Sequence, residues 1–184
     1  YNEVMDLGEG LVESGLKGAH IAIVSENCCR YVLADIAISS GVGVVVPVDV
    51  NSPDELMATL LQKSDADAVI CGADLVDLMV QMQQRCPLLK TIITMDRKVE
   101  GYPYYEEIVG KGKGLDGEYR NGVLDLDAPA KILFTSGTTG ANKGVVLTNA
   151  NLAANMVNCM DSIMTAGDTV SMSVLPMHHA TEIN

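Results

Sequence analysis

Positive charge is scarce in this sequence. Only 12 lysines and arginines stand against 24 aspartates and glutamates in 184 residues, a formal net charge of −12. Such a chain repels a phosphate backbone, which argues against nucleic acid as a partner. A small nucleotide stays compatible, because a local loop can override the global field. Long apolar runs are also missing. None approaches the roughly 18–20 residues needed to span a membrane, so no transmembrane segment is expected. No basic, apolar leader opens the chain, and it starts at Tyr1 instead of methionine, so further residues are expected ahead of it. The cysteines lack a pairing pattern. Cys28, Cys29, Cys71, Cys86 and Cys159 are odd in number, two are adjacent, and no CxxC occurs. That argues against a disulfide framework or a zinc site and for a reducing, cytoplasmic setting. Cysteine here reads as a small hydrophobe.

Hydrophobic residues make up 48% and charged residues 20%, the balance of a globular protein. The length suggests about one domain. Along the chain, short β-branched runs alternate with longer periodic segments. Val4, Leu7 and Leu11 recur at helical spacing. "HIAIVS" (20–25) reads as a strand, and "NCCRYVLADIAISSG" as a helix ending at Gly41. "VGVVVPVD" (42–49) reads as a buried strand that Pro47 ends. "SPDELMATLLQKS" predicts a helix with Ser52 as N-cap, Pro53 as first helical residue and Glu55 closing a capping box. "DAVICG" (67–72) and "KTIITMD" (90–96) are further strands, with the helical "ADLVDLMVQMQQRC" between them. Strand and helix in alternation with short links predict a doubly wound, mainly parallel α/β sheet with helices on both faces. The ends of such strands are where α/β proteins place ligands.

Residues 97–128 differ. They are rich in charge, glycine and tyrosine, and they read as an exposed excursion with one helical turn around Tyr105–Val109. The expected organisation is a first α/β subdomain over 1–128, then a hairpin, a helix and the start of a further subdomain over 129–184. In the helix, Leu152, Met156, Met160 and Met164 form a stripe at four-residue spacing that reads as core. Gly167 would stop that helix, and "TVSMSVLPM" (169–177) reads as a strand. No internal repeat is visible.

Three glycine patterns compete as phosphate sites. Gly112, Gly114 and Gly117 spell GxGxxG, but the dinucleotide fingerprint needs a strand before it and a helix after it. The flanks here are polar, so this pattern reads as a flexible loop. "GVG" at 41–43 reads as a helix stop. The third pattern is "FTSGTTGANKG", Phe134 to Gly144. It fails the P-loop template G-x-x-x-x-G-K-[ST]: counted from Gly137, Asn142 holds the place of the second glycine and Gly144 that of the hydroxyl. "VVLT" beyond it is strand-like, where a P-loop opens a helix. The physics survives the failed match. Glycines let backbone N–H groups approach an anion, Thr135, Ser136, Thr138 and Thr139 add hydroxyl donors, and Lys143 adds a mobile positive charge. A plain hairpin turn needs none of this.

The same stretch, "TSGTTGANKG", resembles the T-S-G-[ST]-[TS]-G-x-P-K-G signature of the AMP-forming acyl-adenylating enzymes: acyl-CoA synthetases, luciferases and peptide-synthetase adenylation domains. Asn142 departs from it, since the family usually carries proline there. The upstream order of elements is similar to the family's first α/β subdomain almost end to end. The resemblance implies an ATP-dependent acid–thiol ligase that adenylates a carboxylic acid and then forms a thioester, with ATP and Mg2+ as cofactors and coenzyme A, or a carrier-protein thiol, as acceptor. It implies that Thr135, Ser136, Gly137, Thr138, Thr139 and Gly140 wrap the β- and γ-phosphates, that Lys143 neutralises them, and that Thr135 helps hold the magnesium. "LPMHHATE" (175–182) lacks the histidine spacing of a zinc helix. It is similar to the "LPLHHTFE" of long-chain acyl-CoA synthetases, which implies a catalytic role for His179 beside the carboxylate and α-phosphate, with His178 secondary. The family's adenine, ribose and lysine residues lie beyond Asn184, so the chain is expected to be an N-terminal fragment, inactive alone. The medium- or long-chain fatty acid expected as substrate rests on that second motif. The other readings are a non-catalytic nucleotide-binding or scaffolding module of the same fold, and an α/β protein whose loop is coincidental.

Overall fold

The structure is a computed structural model. It describes residues 1–135 and 142–162, without the side chains of 159–162. Six strands form one sheet in the order β4-β3-β1-β2-β5-β6. Strands β1 (His20–Val24), β2 (Val44–Pro47), β3 (Ala68–Cys71) and β4 (Thr91–Thr94) are all parallel. β5 (Pro129–Thr135) joins β2 in parallel, at Val45↔Lys131, and β6 (Lys143–Thr148) returns antiparallel to β5.

Period-2 alternation divides the strand side chains between two cores. Ala22, Val24, Val46, Val69 and Ile92 face helices α3 (Asp54–Lys63) and α4 (Val76–Arg85). Ile21, Ile23, Val45, Ile70 and Ile93 face α1 (Asn2–Glu13) and α2 (Cys29–Ala37). Both faces of the sheet are covered, which is why the strands read as apolar runs without alternation in polarity. α2 ends in a wide turn at Ile38–Val42, where Gly41 takes a φ of 134° that a side chain would resist.

Four expectations need correction. α3 begins at Asp54: Pro53 is extended (ψ 145°), Ser52 makes no cap, and no side-chain capping bond forms. Residues 97–128 are not an exposed excursion. They contain α5 (Tyr105–Gly112) and α6 (Glu118–Asn121), and Tyr105, Ile108 and Tyr119 are buried in the core beside α1. α1 and α5 meet through glycines: a Cβ at Gly10 would overlap the Ile108 carbonyl, and one at Gly112 the Asp6 carbonyl. In α7 (Asn149–Ser162), Leu152 is half-buried and Met156 is 59% exposed, so the stripe there is not core among the described residues. Met160's side chain, Met164, Gly167 and the strand expected at 169–177 lie outside the description. Finally, cysteine is not uniformly a buried hydrophobe: Cys71 and Cys86 are buried, whereas Cys28 and Cys29 are exposed.

Candidate functional site

The ladder between β5 and β6 runs through Ile132↔Val146, Leu133↔Val145, Phe134↔Gly144 and Thr135↔Lys143. Residues 136–142 therefore span the gap between two facing residues. Directly opposed residues of an antiparallel pair project from the same face, with Cβ atoms about 5 Å apart. Thr135 and Lys143 thus set a hydroxyl and an ammonium side by side at the mouth of the loop, and both are exposed. Among the described residues, the Lys143 ammonium has neither an ion pair nor a hydrogen bond. Most of the other cations are engaged: Arg30 with Glu106, Arg85 with Glu55, Arg97 with Asp74, Lys98 with Glu107, Arg120 with Asp6.

The mouth is held from several sides. On one face of β5, Ile132 is buried and Phe134 packs against the core under α3 and α4. Gly144 lets the ring of Phe134 close over the hairpin: a Cβ there would lie 3.2 Å from Phe134 Cε1 and 3.3 Å from Ile132 Cγ2. Lys63, the last residue of α3, donates from Nζ to the Asn142 carbonyl at 3.1 Å. On the other face, Lys131 Nζ pairs with Asp35 Oδ1 of α2 at 2.9 Å, with both side chains buried. Burial pushes the Asp35 carboxyl up, against the pull of the Lys131 ammonium. It pushes the Tyr31 hydroxyl up strongly as well, and Asp35 adds to that. At the far end, Thr148 caps α7. Its hydroxyl accepts from the Asn151 N–H while Asn151 Oδ1 accepts from the Thr148 N–H.

Thr135 and Lys143 are thus brought together. Ser136, Gly137, Thr138, Thr139 and Gly140 lie outside the described residues, as do His178 and His179. Among the described residues no three His, Cys, Asp or Glu side chains could hold a metal ion by themselves. The GxGxxG pattern at 112–117 is not the free loop that its polarity suggests. The Gly117 and Arg120 N–H groups donate to Glu9 Oε1, at 3.1 and 2.7 Å, and a Cβ at Gly117 would overlap that carboxylate. It is an anion cradle whose anion is the chain's own buried Glu9. Sequence reasoning also passed over Asp35 and Lys131. The available signal was a charge at an interior position of each of two apolar segments, "YVLADIA" and "AKILF".

A family model described as "AMP-binding enzyme" matches residues 1–184. The peroxisomal long chain acyl-CoA synthetase 6 of Arabidopsis thaliana is 29% identical over 96% of this chain and 26% of its own length. A chloroplastic long-chain-fatty-acid–[acyl-carrier-protein] ligase of the same plant is 27% identical over 98% of this chain and 28% of its own. The chain therefore spans little more than a quarter of these two curated relatives. Among solved structures, a long-chain-fatty-acid–CoA ligase from Archaeoglobus fulgidus superposes with a TM-score of 0.87 at 22% identity, over 98% of this chain and 35% of that one. At that identity the superposition speaks for the fold.

Proposed function

Because the chain belongs to the AMP-binding enzyme family, we propose that its β5–β6 hairpin grips the triphosphate of ATP in an AMP-forming acyl-CoA synthetase, for which it supplies the phosphate-binding part. In the first half-reaction a carboxylate oxygen attacks the α-phosphorus of ATP, giving acyl-AMP and pyrophosphate. In the second, a thiolate attacks the acyl carbon, giving the thioester and AMP. The first step concentrates negative charge on the departing pyrophosphate, and a fixed cation with aligned donors stabilises it.

The observation that carries this reading is Lys143, exposed and without a partner among the described residues, standing across the loop mouth from the Thr135 hydroxyl. In a chain of net charge −12, an exposed ammonium with no partner among the described residues suits an anion at such a position. Ser136, Gly137, Thr138, Thr139 and Gly140 between them would add hydroxyl and backbone N–H donors around the β- and γ-phosphates. Mg2+ would arrive bound to ATP, and Thr135 offers it one neutral oxygen, in keeping with the few protein ligands that this ion takes. His179 would orient the incoming carboxylate at the α-phosphate. Of the medium- and long-chain fatty acids expected as substrate, the names of the relatives support the long-chain ones, with coenzyme A as acceptor, and the acyl-carrier-protein ligase among them supports a carrier thiol as the other acceptor class. These residues alone would hold nucleotide weakly, near millimolar or about −4 kcal/mol, and would not complete the reaction.

The test is pyrophosphate release by the full polypeptide carrying these residues, with ATP, Mg2+ and a panel of fatty acids. Lys143→Ala should lower that rate by about 10²-fold, the scale for losing one charge-stabilising group, with an unchanged melting curve. A variant that releases pyrophosphate at the wild-type rate would refute the phosphate grip.

A further inference from the structure

We propose that the buried Asp35–Lys131 ion pair is a positioning device for the loop mouth, fixing where β5 stands on the sheet and with it where Thr135 and Lys143 meet the triphosphate. This rests on the phosphate-grip reading and adds two residues to it that touch no substrate.

Four observations carry the proposal. Lys131 is the residue at which β5 joins the parallel sheet, through its pairing with Val45. The ion pair is therefore made at the strand's point of attachment. Second, Lys131 and Thr135 are four residues apart on one strand, so their side chains project from the same face about 13 Å apart. A shift or tilt of β5 at Lys131 is carried directly to Thr135 and, through the last rung of the ladder, to Lys143. Third, the opposite face of β5 is held by Ile132 and Phe134 against an apolar core. Apolar contact is non-directional, so it fixes the strand's position along its own axis less sharply than a directed contact does. The 2.9 Å ammonium–carboxylate contact is directed. Fourth, the pair is a poor choice for stability alone. Both side chains are 3% exposed, and among the described residues Asp35 Oδ2 has no hydrogen-bond partner and neither does the hydroxyl of Tyr31 one helical turn before it. Buried ion pairs of this kind are often matched or exceeded in stability by apolar residues of similar volume. Positioning explains the retention of a charge pair where packing does not.

The consequence for catalysis is geometric. A misplacement of about 1 Å at reacting groups can cost on the order of 10²-fold in rate. Loosening the pair should therefore lower kcat for adenylation while leaving the fold intact.

The experiment compares two double variants in the full polypeptide. Lys131→Met with Asp35→Leu replaces the pair by apolar contact. Lys131→Gln with Asp35→Asn keeps a directed hydrogen bond without charge. Pyrophosphate release gives kcat and the KM for ATP, and thermal melting gives the fold. The apolar double variant should melt at or above the wild-type temperature and lose about 10-fold or more in kcat, with the KM for ATP within about threefold. The amide double variant should stay within about threefold of wild type in both constants. If the apolar double variant keeps the wild-type kcat, or if the folded amide double variant falls as far as the apolar one, the positioning role is overturned. Should the apolar variant fail to fold, the amide variant decides alone: a retained kcat supports the proposal and a lost one overturns it. Lys143→Ala, assayed beside them, separates the two readings. Its impairment together with a fully active apolar variant removes only the positioning role. A fully active Lys143→Ala removes both.

Discussion

Gly144 lies beneath the ring of Phe134, on the rung of the hairpin ladder that precedes Thr135–Lys143. This contact joins the candidate site to the core, because Phe134 packs on the cluster under α3 and α4 while Gly144 adjoins Lys143. A Cβ at 144 would meet Phe134 Cε1 at 3.2 Å and Ile132 Cγ2 at 3.3 Å, both tighter than ordinary contact. Gly144→Val would add two further methyl groups to that crowding. It should cost about 1–3 kcal/mol, the usual range for overpacking, measurable as a lower urea midpoint. The ring must give by a few tenths of an ångström, and Thr135 and Lys143 form the next rung of the ladder, so adenylation should fall further than the loss of folded protein accounts for. A Gly144→Val variant as stable and as active as wild type would show that the hairpin does not need Phe134 in this position.

The packing of α1 on α5 gives a second expectation. The two helices approach so closely at Gly10 that a Cβ would overlap the carbonyl oxygen of Ile108, a backbone atom that cannot rotate away. Gly10→Ala would force the helices apart over the core that Tyr105 and Ile108 complete. The cost should be about 2–3 kcal/mol, at the upper end of overpacking effects, even though alanine is the better helix former by up to about 1 kcal/mol. Chemical denaturation decides the sign. Gly110, on the same α5 helix, has open space where its Cβ would be, so Gly110→Ala should be neutral or slightly stabilising and serves as the control.

The parts of the fold that were legible in the sequence are those set by local pattern. The first four strands appear as β-branched runs bounded by glycine, proline or charge, and each lies within two residues of its expected limits. The loop mouth was legible for another reason: hydroxyls, glycines and one lysine crowd into ten residues where a turn needs few of them. What stayed hidden depends on partners distant in the chain. Tyr105, Ile108 and Tyr119 look like solvent-facing residues in a charged, glycine-rich stretch, because the helix they pack on begins at Asn2. Gly112 and Gly117 imitate a nucleotide fingerprint, because glycine is needed equally where a backbone passes close to another helix or to Glu9. Nothing near Lys131 in the sequence marks its partner, because Asp35 lies in a distant helix. Met156 shows the limit of periodicity, which tells which face of α7 is apolar and not what covers that face.

The last expectation concerns alkaline pH. Burial raises the Tyr119 hydroxyl from about 10 to about 12, with Glu9 adding to the rise and a hydrogen bond with Ser40 opposing it. Burial likewise raises the Cys71 thiol from 9.0 to about 12, with Asp96 adding to it. Tyr105 and Tyr31 are shifted in the same direction. All four are neutral acids whose proton is held more tightly in the folded state than in the unfolded one. Between the unfolded and folded values the native protein therefore binds more protons, and linkage requires stability to fall as pH rises. The contribution of Tyr119 is fully present below about pH 10 and is lost as the pH climbs through about 12. Each pKa unit corresponds to about 1.4 kcal/mol, so the two units here amount to at most roughly 2–3 kcal/mol. Tyr119→Phe keeps the ring against Gly8, where Tyr119 closes the core beside α1, and removes the ionisable group. Urea unfolding at pH 9 and at pH 11 should show the wild type losing stability between the two, and the variant losing less. The remaining loss in the variant belongs to Cys71, Tyr105, Tyr31 and Cys86, whose thiol burial also raises. An identical loss in both proteins would mean that the Tyr119 hydroxyl ionises as freely in the folded chain as in the unfolded one, and that the contact of α6 with α1 opens to water before the rest of the fold.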